Sequence, residues 1–161
     1  MDSNQYKDER TLEEVYRSAV AGLYARIRSY YDYLYRSMGD RGLALIADMS
    51  REYGLSIVER ARRRLGDNSI DSVADYLIRI FNTVGRNSDY QPVVEQSCDR
   101  VVIRIARCPL NFDKPEMCQA HTTMERTVVE GLNPDLVYYI GKSIPAGDSV
   151  CEHVIEIKKT G

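Results

Sequence analysis

Tryptophan is absent from this chain of 161 residues, and phenylalanine and histidine occur only twice each. Aromatic burial therefore falls to the 12 tyrosines, and half of these lie between Tyr16 and Tyr35. That bias points to a helix whose apolar stripe also carries hydroxyls. Charge of one sign is lacking too: the formal net charge is −2, which excludes a global pull toward nucleic acid or an anionic membrane. No apolar run approaches the ~20 residues that a membrane span requires. The N-terminal segment Met1-Asp2-Ser3-Asn4-Gln5-Tyr6-Lys7 has no apolar core of the signal-peptide kind. A soluble, cytoplasmic protein is the expectation, with neither nucleic acid nor membrane as partner. A glycine-rich phosphate loop, a Gly-x-Ser-x-Gly elbow and a Ser–His–Asp set are all missing. No repeat, low-complexity stretch or linker divides the chain, so residues 1–161 read as a single domain with residues 1–10 as a flexible N-terminus.

Apolar periodicity supplies the elements. Thr11-Leu12-Glu13-Glu14 is a capping box, and Leu12, Val15, Tyr16, Ala19, Val20, Leu23, Ile27, Tyr30, Tyr31 and Leu34 keep helical spacing up to Gly39. Further helices are predicted over about Arg41 to Tyr53, Leu55 to Leu65 and Ser69 to Val84, each ended by a glycine (Gly54, Gly66, Gly85) acting as a left-handed cap. The period then changes to two. Val93 and Val94 precede a turn at Ser97-Cys98-Asp99, and Val101, Ile103 and Ile105 alternate toward a strand end at Cys108. Pro115 opens a helix from about Glu116 to Glu130, followed by strands at Leu136 to Ile140 and Val150 to Ile157. Helices and strands segregate into blocks. The fold class is α+β: an N-terminal helical half packed on a four-stranded antiparallel sheet, with one inserted helix.

The first two thirds of the chain contain only Cys98 and no histidine. Cys108, Cys118, His121, Cys151 and His153 all fall in the last third, with Glu125 one turn beyond His121. Cys118 and His121 share a helix face at i, i+3. In the last strand, Cys151, His153, Ile155 and Ile157 share one face, and the two isoleucines turn that face inward. If the helix packs on the sheet, Cys118 and His121 meet Cys151, and Cys108 arrives from the neighbouring strand end. Thiolates with an imidazole select zinc or an iron–sulfur cluster, so Cys108, Cys118, His121 and Cys151 are the candidate metal ligands. Their sequence spacing matches no standard zinc-finger pattern. A metal-free pocket with a functional thiol, or three small buried apolar residues, are the alternatives. For an enzyme, His121 is the candidate general base, oriented by Glu125, with Cys118 or Cys151 as nucleophile or ligand. Arg60-Ala61-Arg62-Arg63-Arg64 reads as a solvated, dipole-matched helix end rather than a phosphate site. The tyrosine stripe reads as core or a helix–helix interface, with a ligand cavity or a homodimer seam as its other uses.

The segments Ala106-Arg107-Cys108-Pro109-Leu110, Met117-Cys118-Gln119-Ala120-His121 and Gly147-Asp148-Ser149-Val150-Cys151 resemble the family named for L-2-amino-thiazoline-4-carboxylic acid hydrolase. The glycine-punctuated helices fit the same resemblance, including Leu34-Tyr35-Arg36-Ser37-Met38-Gly39 and Arg51-Glu52-Tyr53-Gly54. It covers about Tyr16 to Ile157. The C-terminal part also resembles four-vinyl-reductase-type domains, in which a cysteine follows a glycine turn near the end. These resemblances imply a small-molecule sensor or handler, with thiolate-bound zinc in some members, and map the family's cysteines onto Cys108, Cys118 and Cys151. The function expected is a small-molecule-binding or sensor-like domain with a Cys/His site. The alternative is a hydrolase opening a small C–N or thiazoline-like ring.

Overall fold

A computed structural model describes residues 10–84 and 92–159. The predicted terminator Gly85 and the N-terminal residues 1–9 lie outside that range. The element order is α1 (Leu12–Met38), α2 (Asp40–Arg62), α3 (Ile70–Val84), β1 (Val93–Gln96), β2 (Arg100–Ile105), α4 (Pro115–His121), α5 (Thr123–Leu132), β3 (Leu136–Lys142), a 3₁₀ turn (Ile144–Ala146) and β4 (Cys151–Ile157). The architecture is α+β, with a helical N-terminal half and a four-stranded antiparallel sheet in the order β1-β2-β4-β3.

The capping box forms as read. Thr11 Oγ1 accepts the Glu14 N–H, and Glu14 Oε2 accepts the Thr11 N–H at 2.7 Å. Gly39 then serves as the single residue between α1 and α2, at φ 54°, a left-handed backbone that favours glycine. The two helices predicted around Gly54 are instead one, because Gly54 sits inside α2 and is buried. Its glycine identity answers to packing. A Cβ there would lie 2.8 Å from Thr127 Cβ and 2.9 Å from the Met124 carbonyl oxygen, so only a glycine lets α2 lie directly against α5. The single helix predicted from Glu116 divides at Thr122, whose ψ is 0°. Thr122 and Thr123 each donate a hydroxyl hydrogen bond to the Gln119 carbonyl, at 3.3 Å. Back-bonding of this kind competes with the helical ladder and bends it.

The inner face of the sheet carries Val101, Ile103 and Ile105 of β2, Cys151, His153 and Ile155 of β4, and Leu136 and Tyr138 of β3, all buried. Cross-strand register sets Ile105 opposite Cys151, and Ile103 and Ile140 opposite His153. The predicted inward face of β4 therefore holds from Cys151 to Ile155, while Ile157 at its end is exposed. α3 and α5 pack on this face, α2 packs on α5, and α1 packs on α2. Two apolar clusters result. One joins α2, α3 and α5 to the sheet; the other gathers Tyr31, Ile46, Leu110, Phe112, Met117, Cys118 and Ala120 beneath α1.

Candidate functional site

Where the two clusters meet they leave a cavity of about 630 Å³. Its wall is mainly aliphatic and aromatic: Val20, Leu23, Tyr24 and Ile27 of α1, Ile57 of α2, Ile80 and Phe81 of α3, Ile105 of β2, and Leu110 and Phe112 beyond it. Into this surface project Cys108, Cys118, His121, Glu125, Cys151 and His153. Every residue singled out from the last third of the sequence thus reaches one cavity. Cys98 does not; it is exposed in the turn between β1 and β2.

Local structure explains each placement. Cys118 and His121 lie one turn apart on α4, and Glu125 follows one turn further across the Thr122 offset. Cys151 opens β4, where its Sγ accepts the Ile144 N–H at 3.3 Å. Cys108 lies beyond the end of β2, which stops at Ile105 rather than at Cys108; its carbonyl closes a turn by accepting the Asn111 N–H at 3.1 Å. All four cysteines are free thiols.

The electrostatics follow from burial. Burial pushes the Cys118 thiol up to about 12, and the neighbouring Cys151 and Cys108 add to the rise. The Cys151 thiol is raised as well, again chiefly by burial. Both are neutral thiols in this setting. Burial lowers His121 to about 4 and His153 to about 4, so both imidazoles are neutral at physiological pH. His121 Nδ1 lies 3.3 Å from the Tyr31 hydroxyl, and its ring is flanked by those of Tyr31 and Phe112 at 5.8 and 5.7 Å. His153 Nδ1 lies 2.6 Å from the Tyr138 hydroxyl, with Phe81 4.7 Å away on the cavity side. Glu125 is 4% exposed, its Oε2 has no hydrogen-bond partner, and burial raises its carboxyl to about 7. Among the described residues no hydrogen bond joins Glu125 to His121.

Fit to a metal can be judged on the same geometry. Among the described residues no three His, Cys, Asp or Glu side chains are grouped so as to hold a metal ion. Cys108, Cys118, His121 and Cys151 share a cavity wall without forming a coordination set, and His121 and Cys151 already hold partners in Tyr31 and the Ile144 amide.

Sequence reasoning did not place Tyr31, Phe112, Phe81 and Tyr138 around the two histidines. The tyrosine bias of α1 was the available signal for Tyr31. It read Arg60 and Arg64 as a solvated helix end; both are exposed, and both also line the cavity.

No protein-family model matches the chain, and no curated protein does. In structure it is similar to a trafficking protein particle complex subunit 3 from Naegleria fowleri covalently bound to palmitic acid. The TM-score is 0.54 at 12% sequence identity, covering 91% of this chain and 97% of that one. At that identity the likeness is one of fold.

Proposed function

We propose that this protein is a cytoplasmic small-molecule-binding domain that takes an apolar organic ligand in the cavity beneath α1. One observation carries the reading: a cavity of about 630 Å³ with a mainly apolar wall and a few convergent polar groups. Binding sites for small organic molecules have this composition and size. The palmitic acid held covalently by the neighbour of similar fold supports an apolar ligand here. The resemblance to thiazoline-carboxylic acid hydrolases and four-vinyl-reductase-type domains supports the same class. Among the described residues no helix is long and apolar enough to cross a membrane. Nucleic acid and membrane are not partners in this reading, and α1 is free to serve a homodimer.

The test is titration with N-phenyl-1-naphthylamine, an apolar fluorophore that brightens in dry surroundings. Saturable binding at one site per chain is expected, weakened by Ile27→Trp, which narrows the cavity from α1. Non-saturable binding, or affinity unchanged by the substitution in a folded variant, overturns the proposal.

A hydrolase opening a small C–N or thiazoline-like ring is the second reading, favoured by His121 and Glu125 lining the same cavity. A neutral imidazole can take a proton, and Glu125 supplies a second titratable group one turn away. Turnover of thiazolines lost in His121→Gln, with ligand affinity within about tenfold, is the signature expected of that role. A zinc or iron–sulfur centre at Cys108, Cys118, His121 and Cys151 requires these side chains to close in on one point. Metal analysis and an absorption spectrum of freshly purified protein, native against Cys118→Ser, test it directly.

A further inference from the structure

Among the described residues that line the cavity, Glu125 is the one with a buried polar atom left without a partner. It is 4% exposed and Oε2 has no partner. Its field reaches Tyr24 and Tyr31 of α1, Cys118 of α4 and Tyr138 of β3, hindering ionisation of each. The cavity that Glu125 lines is walled by α1, α3 and Cys118 on one side and by Ile105, Cys151 and His153 of the sheet on the other. Only its own backbone N–H favours the charged form, against the larger effect of burial. The tyrosines and Cys118 are neutral, and His121 and His153 are held neutral by burial. Arg60 and Arg64, the cationic side chains on the cavity wall, are exposed at the end of α2, and no ion pair joins either to Glu125 among the described residues. A buried carboxyl oxygen without a partner costs free energy.

We propose that Glu125 is the polar anchor of the cavity and that it selects a ligand carrying a primary ammonium group on an apolar body. This rests on the ligand-binding reading above and deepens it. An ammonium supplies up to three donors and the missing opposite charge, while the aliphatic and aromatic wall takes the rest of the molecule. Charge-assisted hydrogen bonds are about twice as strong as neutral ones, so an amine gains more here than an alcohol of the same shape. The carboxyl, raised to about 7 by burial, is returned to its ionised form when the ammonium arrives.

Calorimetric titration of the full chain with 4-phenylbutylamine and with 4-phenyl-1-butanol tests this. The native protein should bind the amine about tenfold or more tightly than the alcohol. Glu125→Gln should remove that preference, weakening the amine by a similar factor and leaving the alcohol within about threefold. Equal affinities in the native protein, or an amine preference that survives in Glu125→Gln, overturn the anchor role while leaving the cavity reading intact. Failure of both probes to bind the native protein overturns the cavity reading and the anchor with it. A second measurement avoids the variant altogether. At pH 6, titrations in two buffers of different ionisation enthalpy should show amine binding releasing close to one proton, as the protonated Glu125 ionises. Amine binding without proton release overturns the proposal.

Discussion

On the sheet side of the cavity, Val73, Leu77, Val101, Ile103, Val128, Val129 and Ile155 are wholly buried in one continuous cluster, whereas α1, with 27 residues, buries only Tyr31. Leu23, Tyr30 and Tyr33 of the same helix are each more than half exposed. The sheet, α3 and α5 therefore form the packed body of the domain, and α1 is a wall leaned against it through α2 and a smaller, aromatic-rich cluster. The difference has a physical consequence. Apolar area removed from water sets stability, so cooperative stability belongs to the first region. The second, with fewer buried contacts, is where opening for a ligand costs least.

The contrast can be broken or sharpened by substitution. The largest effect is expected at Leu77 on α3, wholly buried against the sheet. Leu77→Ala should cost about 2–5 kcal/mol in urea denaturation; a loss below 1 kcal/mol, on the order of a surface change, would dissolve the distinction between the two sides. Gly54→Val is next. Its side chain would begin 2.8 Å from Thr127 Cβ and 2.9 Å from backbone, forcing α2 off α5 at about 1–3 kcal/mol. A variant as stable as the native protein would show that the α2–α5 contact yields freely.

Glu125 stands between the two regions, and its effect has a definite sign in pH. Its folded value near 7 lies above the ordinary 4.5. The folded state thus holds the proton more tightly, and stability is lost as pH rises from 4.5 through 7. Glu125→Gln should therefore gain about 3 kcal/mol more at pH 8 than at pH 4. His121 and His153, lowered to about 4, act oppositely: neutral in the fold, they cost stability as pH falls from 6.5 through 4. Present in both proteins, they cancel from the comparison. A uniform change across pH would mean that Glu125 is ordinarily solvated. The smallest effect is expected at Leu23, 58% exposed on α1: Leu23→Ala should change stability by less than about 0.5 kcal/mol. A loss rivalling that of Leu77→Ala would make α1 part of the main core.

Much of this was legible in the residues themselves. The capping box at Thr11, the 3,4 spacing of α1 and α3, the hairpin around Cys98, and the alternation that turns Cys151, His153 and Ile155 inward are local patterns. Local patterns are set by backbone geometry and the need to bury one face. The same reasoning brought Cys118, His121, Glu125 and Cys151 to a common place, because a helix face and a strand face have fixed periods. Gly54 and Thr122 were not legible. A glycine that ends a helix and a glycine that admits a neighbouring helix have the same letter, and only the approach of α5 separates them. A threonine inside a helical pattern carries no mark of the bend it makes.

The residues alone specify which segments are helical or extended, the faces they bury and the residues that carry chemistry, since these follow from interactions a few positions apart; where α2 runs on and where α4 and α5 divide, they do not. Tertiary structure alone decided that those faces close imperfectly. A cavity arises from the mismatch in shape between two clusters far apart in the chain, and no local period encodes it. The same closure decided the states of its polar groups. Cys118 and Cys151 are neutral thiols, His121 and His153 neutral imidazoles, and Glu125 a carboxyl with one oxygen left unpartnered. Each of those states is fixed by how much water the surrounding elements exclude, a quantity that exists only once the elements are packed.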